Sequence, residues 1–377
     1  MKATRRLHDL GQSVWLDTIT RGILDDGTLE RYIGDWSVTG LSSNPAIFDH
    51  ALKRGDAYDA AIRRKAMEGK AGEALFFELA IEDLRRAADL FRPVHERTGG
   101  ADGWVSLEVS PLLAHDTAAT IWAAADLHRR AQRPNLFIKI PGTAEGLPAI
   151  EACVFAGVPV NVTLLFSAAQ YCAAADAYMR GIERRVAAGL DPRIGSVASL
   201  FVSRWDAKVY DTVPPALRNR LGITMARRAY REYRRVLASP RWQALAAAGA
   251  RPQRLLWAST GTKDPDASDT LYVEALAAPD TVNTIPEKTL QAFADHGRVT
   301  GTLPCDDGDV EVRLVEFDRA GIDVTGLAAQ LQREGAAAFD KSWKDLLNRL
   351  AAKRAALMPR PRARAGMAYM SSYHAPE

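Results

Sequence analysis

"NLFIKIPGT", residues 135–143, sets Lys139 between Ile138 and Ile140 in a short apolar run closed by Pro141 and Gly142. Such a run reads as an interior strand. An ammonium in that setting is costly unless it is paired or gives up its proton. On an edge strand the same lysine would simply reach solvent. What the rest of the chain builds around it decides between the two.

Working outward, β-type segments alternate with helical patterns. The spacing predicts strands near 13–19 (SVWLDTI), 38–44 (VTGLSSN), 104–110 (WVSLEVS) and 136–142 (LFIKIPG). Four more are expected near 159–166 (PVNVTLLF), 195–203 (GSVASLFVS), 254–260 (RLLWAST) and 281–286 (TVNTIP). Amphipathic stretches lie between them. In residues 71–100, Leu75, Leu79, Leu84, Ala88 and Phe91 approximate one helical face, with Pro93 and Gly99–Gly100 marking its end. The connection from 45 to 103 is long enough for more than one helix. Alternating strands and helices imply an α/β protein with a parallel sheet, most economically a (β/α)8 TIM barrel with a C-terminal helical extension. An open doubly wound sheet is the second choice, without the GxGxxG fingerprint it often carries. The barrel domain is expected over 1–300 and an extension packed on it over 301–358, with a loop, a short strand-like piece and then helix interrupted at Gly335. Residues 359–377 (PRPRARAGMAYMSSYHAPE) read as a basic tail.

Composition narrows the function classes. Hydrophobic residues make up 47% and charged residues 25% of the 377 residues, the profile of a globular protein. A formal charge of +3, with no basic stripe interleaved with aromatics, gives no case for nucleic acid. No apolar run approaches the ~20 residues needed to span a bilayer, and Asp9 and Gln12 interrupt any signal-peptide core. The three cysteines, Cys153, Cys172 and Cys305, lack CxxC spacing and read as reduced thiols of a cytoplasmic protein.

The candidate site comes from alternation within the strands. Buried parallel strands should be nearly continuous in hydrophobics, yet several here carry polar residues on one face. Ser106, Glu108 and Ser110 share a face opposite Val105, Leu107 and Val109. Asn161 and Thr163 share one opposite Val160, Val162 and Leu164, and Lys139 lies on the face of Phe137. Asp17, Asn44, Glu108, Lys139, Thr163 and Ser259 all fall toward the C-terminal ends of their strands, where barrels of this kind build active sites. A desolvated lysine can act as a nucleophile on carbonyls, and carboxylates beside it can move protons. Arg204 and Lys263 follow the ends of later strands, whose loops often hold phosphate. No histidine stands in a convincing triad, and no closely spaced set of His and Asp suggests a metal.

At these residues the chain resembles the transaldolases, in their longer bacterial form. The resemblance runs from about 11 to 300 and more loosely to about 357, through "WLDTITRG", "GLSSNPAIF", "VSLEVSP", "IKIPGTAEGLPAI", "VNVTLLFS", "SLFVSRWD", "WASTGTKDP" and "NTIPEKTL" in family order. It implies class I aldol chemistry without metal or organic cofactor, in the pentose phosphate pathway. A dihydroxyacetone unit would pass between sugar phosphates. Carried over, Lys139 is the Schiff-base lysine and Asp17 the acid/base beside the breaking carbon–carbon bond. Glu108 and Thr163 handle a catalytic water. Asn44, Asn161 and Ser199 hold the dihydroxyacetone portion, and Arg204 and Ser259 the phosphate. Many relatives have an arginine where this chain has Gly261, so Lys263 is expected to take over that phosphate contact. Fructose 6-phosphate aldolases, which release free dihydroxyacetone, typically have glutamine and tyrosine in place of Glu108 and Phe201. That lyase activity, or silent sugar-phosphate binding, is the alternative. A monomer or homodimer is expected, with sugar phosphates as partners and neither nucleic acid nor membrane.

Overall fold

In a computed structural model, described here for residues 2–53, 55–304 and 309–358, eight strands close into a parallel barrel in sequence order. They are β1 (Ser13–Leu16), β2 (Val38–Leu41), β3 (Trp104–Glu108), β4 (Leu136–Pro141), β5 (Val160–Leu165), β6 (Ser196–Phe201), β7 (Gln253–Ala258) and β8 (Val282–Ile285). Each pairs with the next, and β8 returns to β1. Lys139 is therefore on an interior strand of a sheet that has no edge. The connection between β2 and β3 holds three helices, Pro45–Lys53, Asp59–Met67 and Gly72–Arg97. The last of these runs through Pro93 and stops at Arg97, before Gly99 and Gly100, both with positive φ.

The outward strand residues, Val105, Leu107, Ile138, Ile140, Val160 and Val162 among them, belong to one apolar cluster with the surrounding helices. Interior residues Trp15, Trp104, Phe137, Val197 and Leu256 form a second. Trp104 and Phe137 stack with centroids 4.0 Å apart and fill the barrel near its base. Gly40 makes room for this: a Cβ there would stand 2.6 Å from the Trp15 ring and 2.7 Å from the Trp104 carbonyl oxygen.

Several strands are shorter than expected at their C-terminal ends. Asp17, Asn44 and Ser259 sit just beyond β1, β2 and β7, in the turns leaving the barrel mouth. β5 departs from simple alternation. Its register shifts between Val162 and Leu165, and Leu164 adopts a left-handed φ of 60°. The bulge turns Leu164 away from the outer cluster and into the inner one, contrary to the face assigned from sequence.

The segment expected to be strand-like after 309 is a helix, Val310–Arg319. Val310, Leu314 and Phe317 recur at helical spacing and are buried, whereas the intervening valines, Val312 and Val315, are exposed. A 34-residue helix, Val324–Leu357, follows without a break at Gly335. Near its start Gln332 donates to the carbonyls of Gly142 and Leu164, at 2.9 and 3.0 Å. Farther along, the Trp343 indole donates to Glu73 at 2.8 Å and Arg349 to Asp49 at 2.6 Å. The helix thus crosses from the β4–β5 rim to the helices that follow β2. The expected basic tail, 359–377, and Cys305 lie outside the described residues.

Candidate active site

The register sets Glu108 on β3, Lys139 on β4 and Asn161 on β5 side by side. Lys139 is 5% exposed, with its Nζ 3.3 Å from Glu108 Oε2 and donating to the Ser43 carbonyl at 3.3 Å. The contact with Glu108 is an ion pair without hydrogen-bond alignment, since neither carboxylate oxygen has a hydrogen-bonding partner. Burial raises the Glu108 carboxyl above its ordinary range, and the neighbouring Lys139 charge opposes that only in part. Thr163, two residues beyond Asn161 and fully buried, also has an unpartnered hydroxyl.

A polar chain runs across the barrel beside this pair. Ser199 Oγ donates to Asn161 Oδ1 at 2.7 Å, and Asn161 Nδ2 donates to Ser106 Oγ at 3.1 Å. These bonds fix the Asn161 amide so that its orientation is set by β3 and β6. On the other side, Asp17 accepts from Ser42 Oγ at 2.9 Å, and Ser42 in turn lies 2.7 Å from Thr284 Oγ1. Burial raises the Asp17 carboxyl as well, against the opposing pull of Lys139, Ser42 and Lys263. Asn44 accepts from the Ile47 N–H at 3.1 Å, starting the helix after β2, and still faces the cavity.

Of the residues expected from sequence, Asp17, Asn44, Lys139, Ser199, Phe201, Arg204, Ser259 and Lys263 line one cavity of about 130 Å³ at the mouth. Glu108, Asn161 and Thr163 are not in its wall; they are buried neighbours of the residues that are. Ser259 is held at φ 57°, with its Oγ 2.9 Å from Ser203 Oγ. A non-glycine residue in this conformation is strained, and such strain gathers where a side chain must be aimed. Arg204 stands in the first turn of the helix that follows β6, Ser203–Val209, its guanidinium over the Phe201 ring at 5.0 Å. Burial lowers its proton affinity, with Glu108 opposing. Lys263 reaches the cavity from an exposed loop.

The structure adds wall residues that the sequence did not single out: Ser42, Thr284, Pro286 and Phe339. Ser42 and Thr284 stand inside the motifs "GLSSNPAIF" and "NTIPEKTL", and inward alternation with Gly40 and Val282 could have flagged them. Phe339 comes from the C-terminal helix, where an aromatic at helical spacing looks like any core residue. Among the described residues no three His, Cys, Asp or Glu side chains are grouped to hold a metal, and no helix is long and apolar enough to cross a membrane.

The chain matches the family model described as Transaldolase/Fructose-6-phosphate aldolase over residues 14–350. Lysine strand, carboxylates and mouth all fall inside that span. The chain belongs to this family. Curated relatives match most of its length: the transaldolase of Thermobifida fusca is 47% identical over 93% of this chain and 98% of its own. Those of Saccharopolyspora erythraea (47% identical, 90% of this chain and 94% of its own) and Thiobacillus denitrificans (44%, 92% and 99%) are similar throughout. The protein is an enzyme of the transaldolase type, a transferase on a TIM barrel.

Proposed function

We propose that this enzyme moves a dihydroxyacetone unit from a ketose phosphate, such as sedoheptulose 7-phosphate or fructose 6-phosphate, to glyceraldehyde 3-phosphate or erythrose 4-phosphate. The carrier is a Schiff base on Lys139, and the setting is the non-oxidative pentose phosphate pathway of the cytoplasm. The observation that supports this reading best is the enclosed Lys139 amine 3.3 Å from a carboxylate with no hydrogen-bond donor of its own.

The Lys139 amine adds to the ketose carbonyl, and its proton passes to Glu108, whose burial favours holding it. Loss of water from the adduct gives an iminium. The Glu108 oxygens and the Thr163 hydroxyl, uncommitted to other protein groups, deliver the proton and receive that water. Asp17 then takes the proton of the hydroxyl beside the bond to be broken. The carbon–carbon bond opens, its electron pair moves into the iminium to leave an enamine, and the aldose phosphate departs. Asp17 suits both directions of this transfer, because burial raises its proton affinity above that of an ordinary carboxylate. The enamine carbon adds to the acceptor's aldehyde, Asp17 returns the proton, and water hydrolyses the new iminium. Asn161, fixed by Ser106 and Ser199, and Asn44 hold the three-carbon unit; Arg204, Ser259 and Lys263 hold the phosphate of the aldose portion.

The test is borohydride reduction with fructose 6-phosphate, followed by peptide mass mapping. A three-carbon adduct on Lys139 and loss of activity are expected. Labelling of no lysine, or full turnover by Lys139→Ala, would end the Schiff-base reading.

A further inference from the structure

The phosphate subsite has a wall that no barrel element supplies. Arg204 lies against two adjoining rings: its guanidinium carbon is 5.0 Å from the Phe201 centroid and 5.7 Å from that of Phe339. Both distances are within the ~6 Å over which a cation is attracted to an aromatic face. The two rings meet edge to face, with centroids 6.4 Å apart and 61° between their planes. Among the described residues, no hydrogen bond or ion pair takes up the Arg204 guanidinium, whereas Arg21, Arg130 and Arg180 on the outer helices pair with carboxylates. A cation held by ring faces keeps its five N–H donors for a ligand. One paired with a carboxylate has committed two of them.

The C-terminal helix is shaped to bring Phe339 there. Gln332, Gly335 and Phe339 fall on one helical face. Gln332 anchors that face to the carbonyls of Gly142 and Leu164 at 2.9 and 3.0 Å. One turn on, a Cβ at Gly335 would stand 3.0 Å from Leu164 Cδ2 and 3.3 Å from Arg204 Nη1. Any side chain at 335 would thus press on the guanidinium or lift the helix. The β5 bulge serves the same contact, since it is the left-handed Leu164 that meets Gly335. Phe339 then reaches over the cavity, and its ring also lies 5.8 Å from Lys139 Nζ.

We propose that the C-terminal helix completes the phosphate subsite, with Phe339 as the positioning residue that holds the Arg204 guanidinium against Phe201 and Gly335 as the gap that lets the guanidinium lie there. This rests on the reading that Arg204 binds the substrate phosphate. It assigns to a helix outside the barrel a part in choosing phosphorylated over unphosphorylated sugars.

The test compares Phe339→Leu, which keeps bulk but removes the ring's charge distribution, with Phe339→Tyr, which keeps the ring. The readings are the KM for fructose 6-phosphate, inhibition by inorganic phosphate, and borohydride labelling of Lys139 by unphosphorylated dihydroxyacetone. Phe339→Leu should weaken both phosphate readings by roughly 3- to 10-fold, with a clearly smaller effect on dihydroxyacetone labelling. Phe339→Tyr should stay near the native values. Leu331→Ala, on the same helix but away from the cavity wall, should lower the melting temperature without selective loss of phosphate. Should Phe339→Leu fail to fold, Gly335→Ala reads the same wall and should also weaken phosphate selectively. Native-like phosphate binding by the leucine or alanine variant, or equal losses in all three readings, overturns the proposal while native labelling of Lys139 still supports the Schiff-base reading. A native protein that labels no lysine defeats that reading instead, and the phosphate arm still reports on Phe339.

Discussion

At the base of the barrel, Asp102 accepts from Trp15 Nε1 at 2.8 Å, from the Gly103 N–H at 3.0 Å and from Ser13 Oγ. Ser13 also accepts from Arg254 at 2.8 Å. At the mouth, Glu108 is as deeply buried as Asp102, yet neither of its oxygens accepts a hydrogen bond. Polar atoms are left over at the base too, among them the neutral amide oxygens of Gln12, Asn135 and Gln253, whose nitrogens are bonded. A spare amide oxygen costs little beside a buried carboxylate whose one partner is an ammonium 3.3 Å away. The larger cavity, about 530 Å³, is at the base around Asp102 and Arg254, while the mouth holds about 130 Å³. Size therefore does not find the site. The useful sign is where buried groups have been left with bonding capacity to spend on something other than the fold.

That contrast breaks if the base proves catalytic or the mouth proves structural. Asp102→Ala strips three buried donors of their acceptor and should destabilise the protein by about 3–5 kcal/mol, the range for removing one member of a buried charged network. Thermal or denaturant unfolding measures it. Turnover per folded molecule should not change, and a loss of turnover beyond the loss of fold would give the base a share in the chemistry.

Next in size are the proposed phosphate contacts. Arg204→Ala and Lys263→Ala should each weaken phosphorylated substrates by about 1.5–3 kcal/mol, the value of a charge-assisted bond. Arg204 should stand at the upper end because its guanidinium is partly buried and bonded to no carboxylate, and Lys263 at the lower because it is exposed. Steady-state KM for fructose 6-phosphate against an unphosphorylated donor is the measurement. Equal losses for both donors would make these residues props of the mouth.

The legible part of this molecule follows the same division. The strands could be read because their outward residues repeat with period two under the helices. Glu108, Lys139, Asn161 and Thr163 could be read because they break that apolar pattern on the inner face. Asp17, Asn44 and Ser259 were visible as residues near strand ends, although they lie one turn farther out than the strand pattern implied. Leu164 was assigned to the wrong face, since a bulge leaves no mark in a run of apolar residues. The valines after Asp309 looked like strand because β-branched residues favour it, and tertiary burial of Val310, Leu314 and Phe317 overrides that preference. Phe339 could not be found at all. Its contact with Arg204 is made across 135 positions of chain, and nothing local distinguishes it from Trp343 or Leu346.

A smaller effect tests whether the mouth is built against stability. Burial raises the Asp17 carboxyl above its unfolded value, so the folded state holds that proton more tightly. The protonated form favours folding, and this contribution is lost as pH rises through the raised value. Asparagine has no such penalty. Asp17→Asn should therefore gain stability over the native protein as pH rises, by about 1 kcal/mol at neutral pH, and little below pH ~4. Melting temperatures of both proteins across pH give the answer. A gain that is flat with pH would mean that the carboxylate is satisfied after all, and the difference between the two barrel ends would shrink.

The smallest expected change concerns what happens to the enamine. Phe201 is buried in the cavity wall, 5.4 Å from Phe166 and under the Arg204 guanidinium, so its ring offers the intermediate no proton. If the three-carbon unit were protonated and hydrolysed before an acceptor arrived, the enzyme would release dihydroxyacetone in place of transferring it. Phe201→Tyr adds a phenol to that wall, a donor able to order water and assist protonation. Release should rise by roughly ten-fold or less, since a hydroxyl placed by chance supplies only part of what a dedicated general acid does, while transfer falls. Both products are followed from fructose 6-phosphate, with and without erythrose 4-phosphate. Rapid release by the native protein without acceptor would make it an aldolase, and the dry aromatic wall would then have no bearing on the outcome.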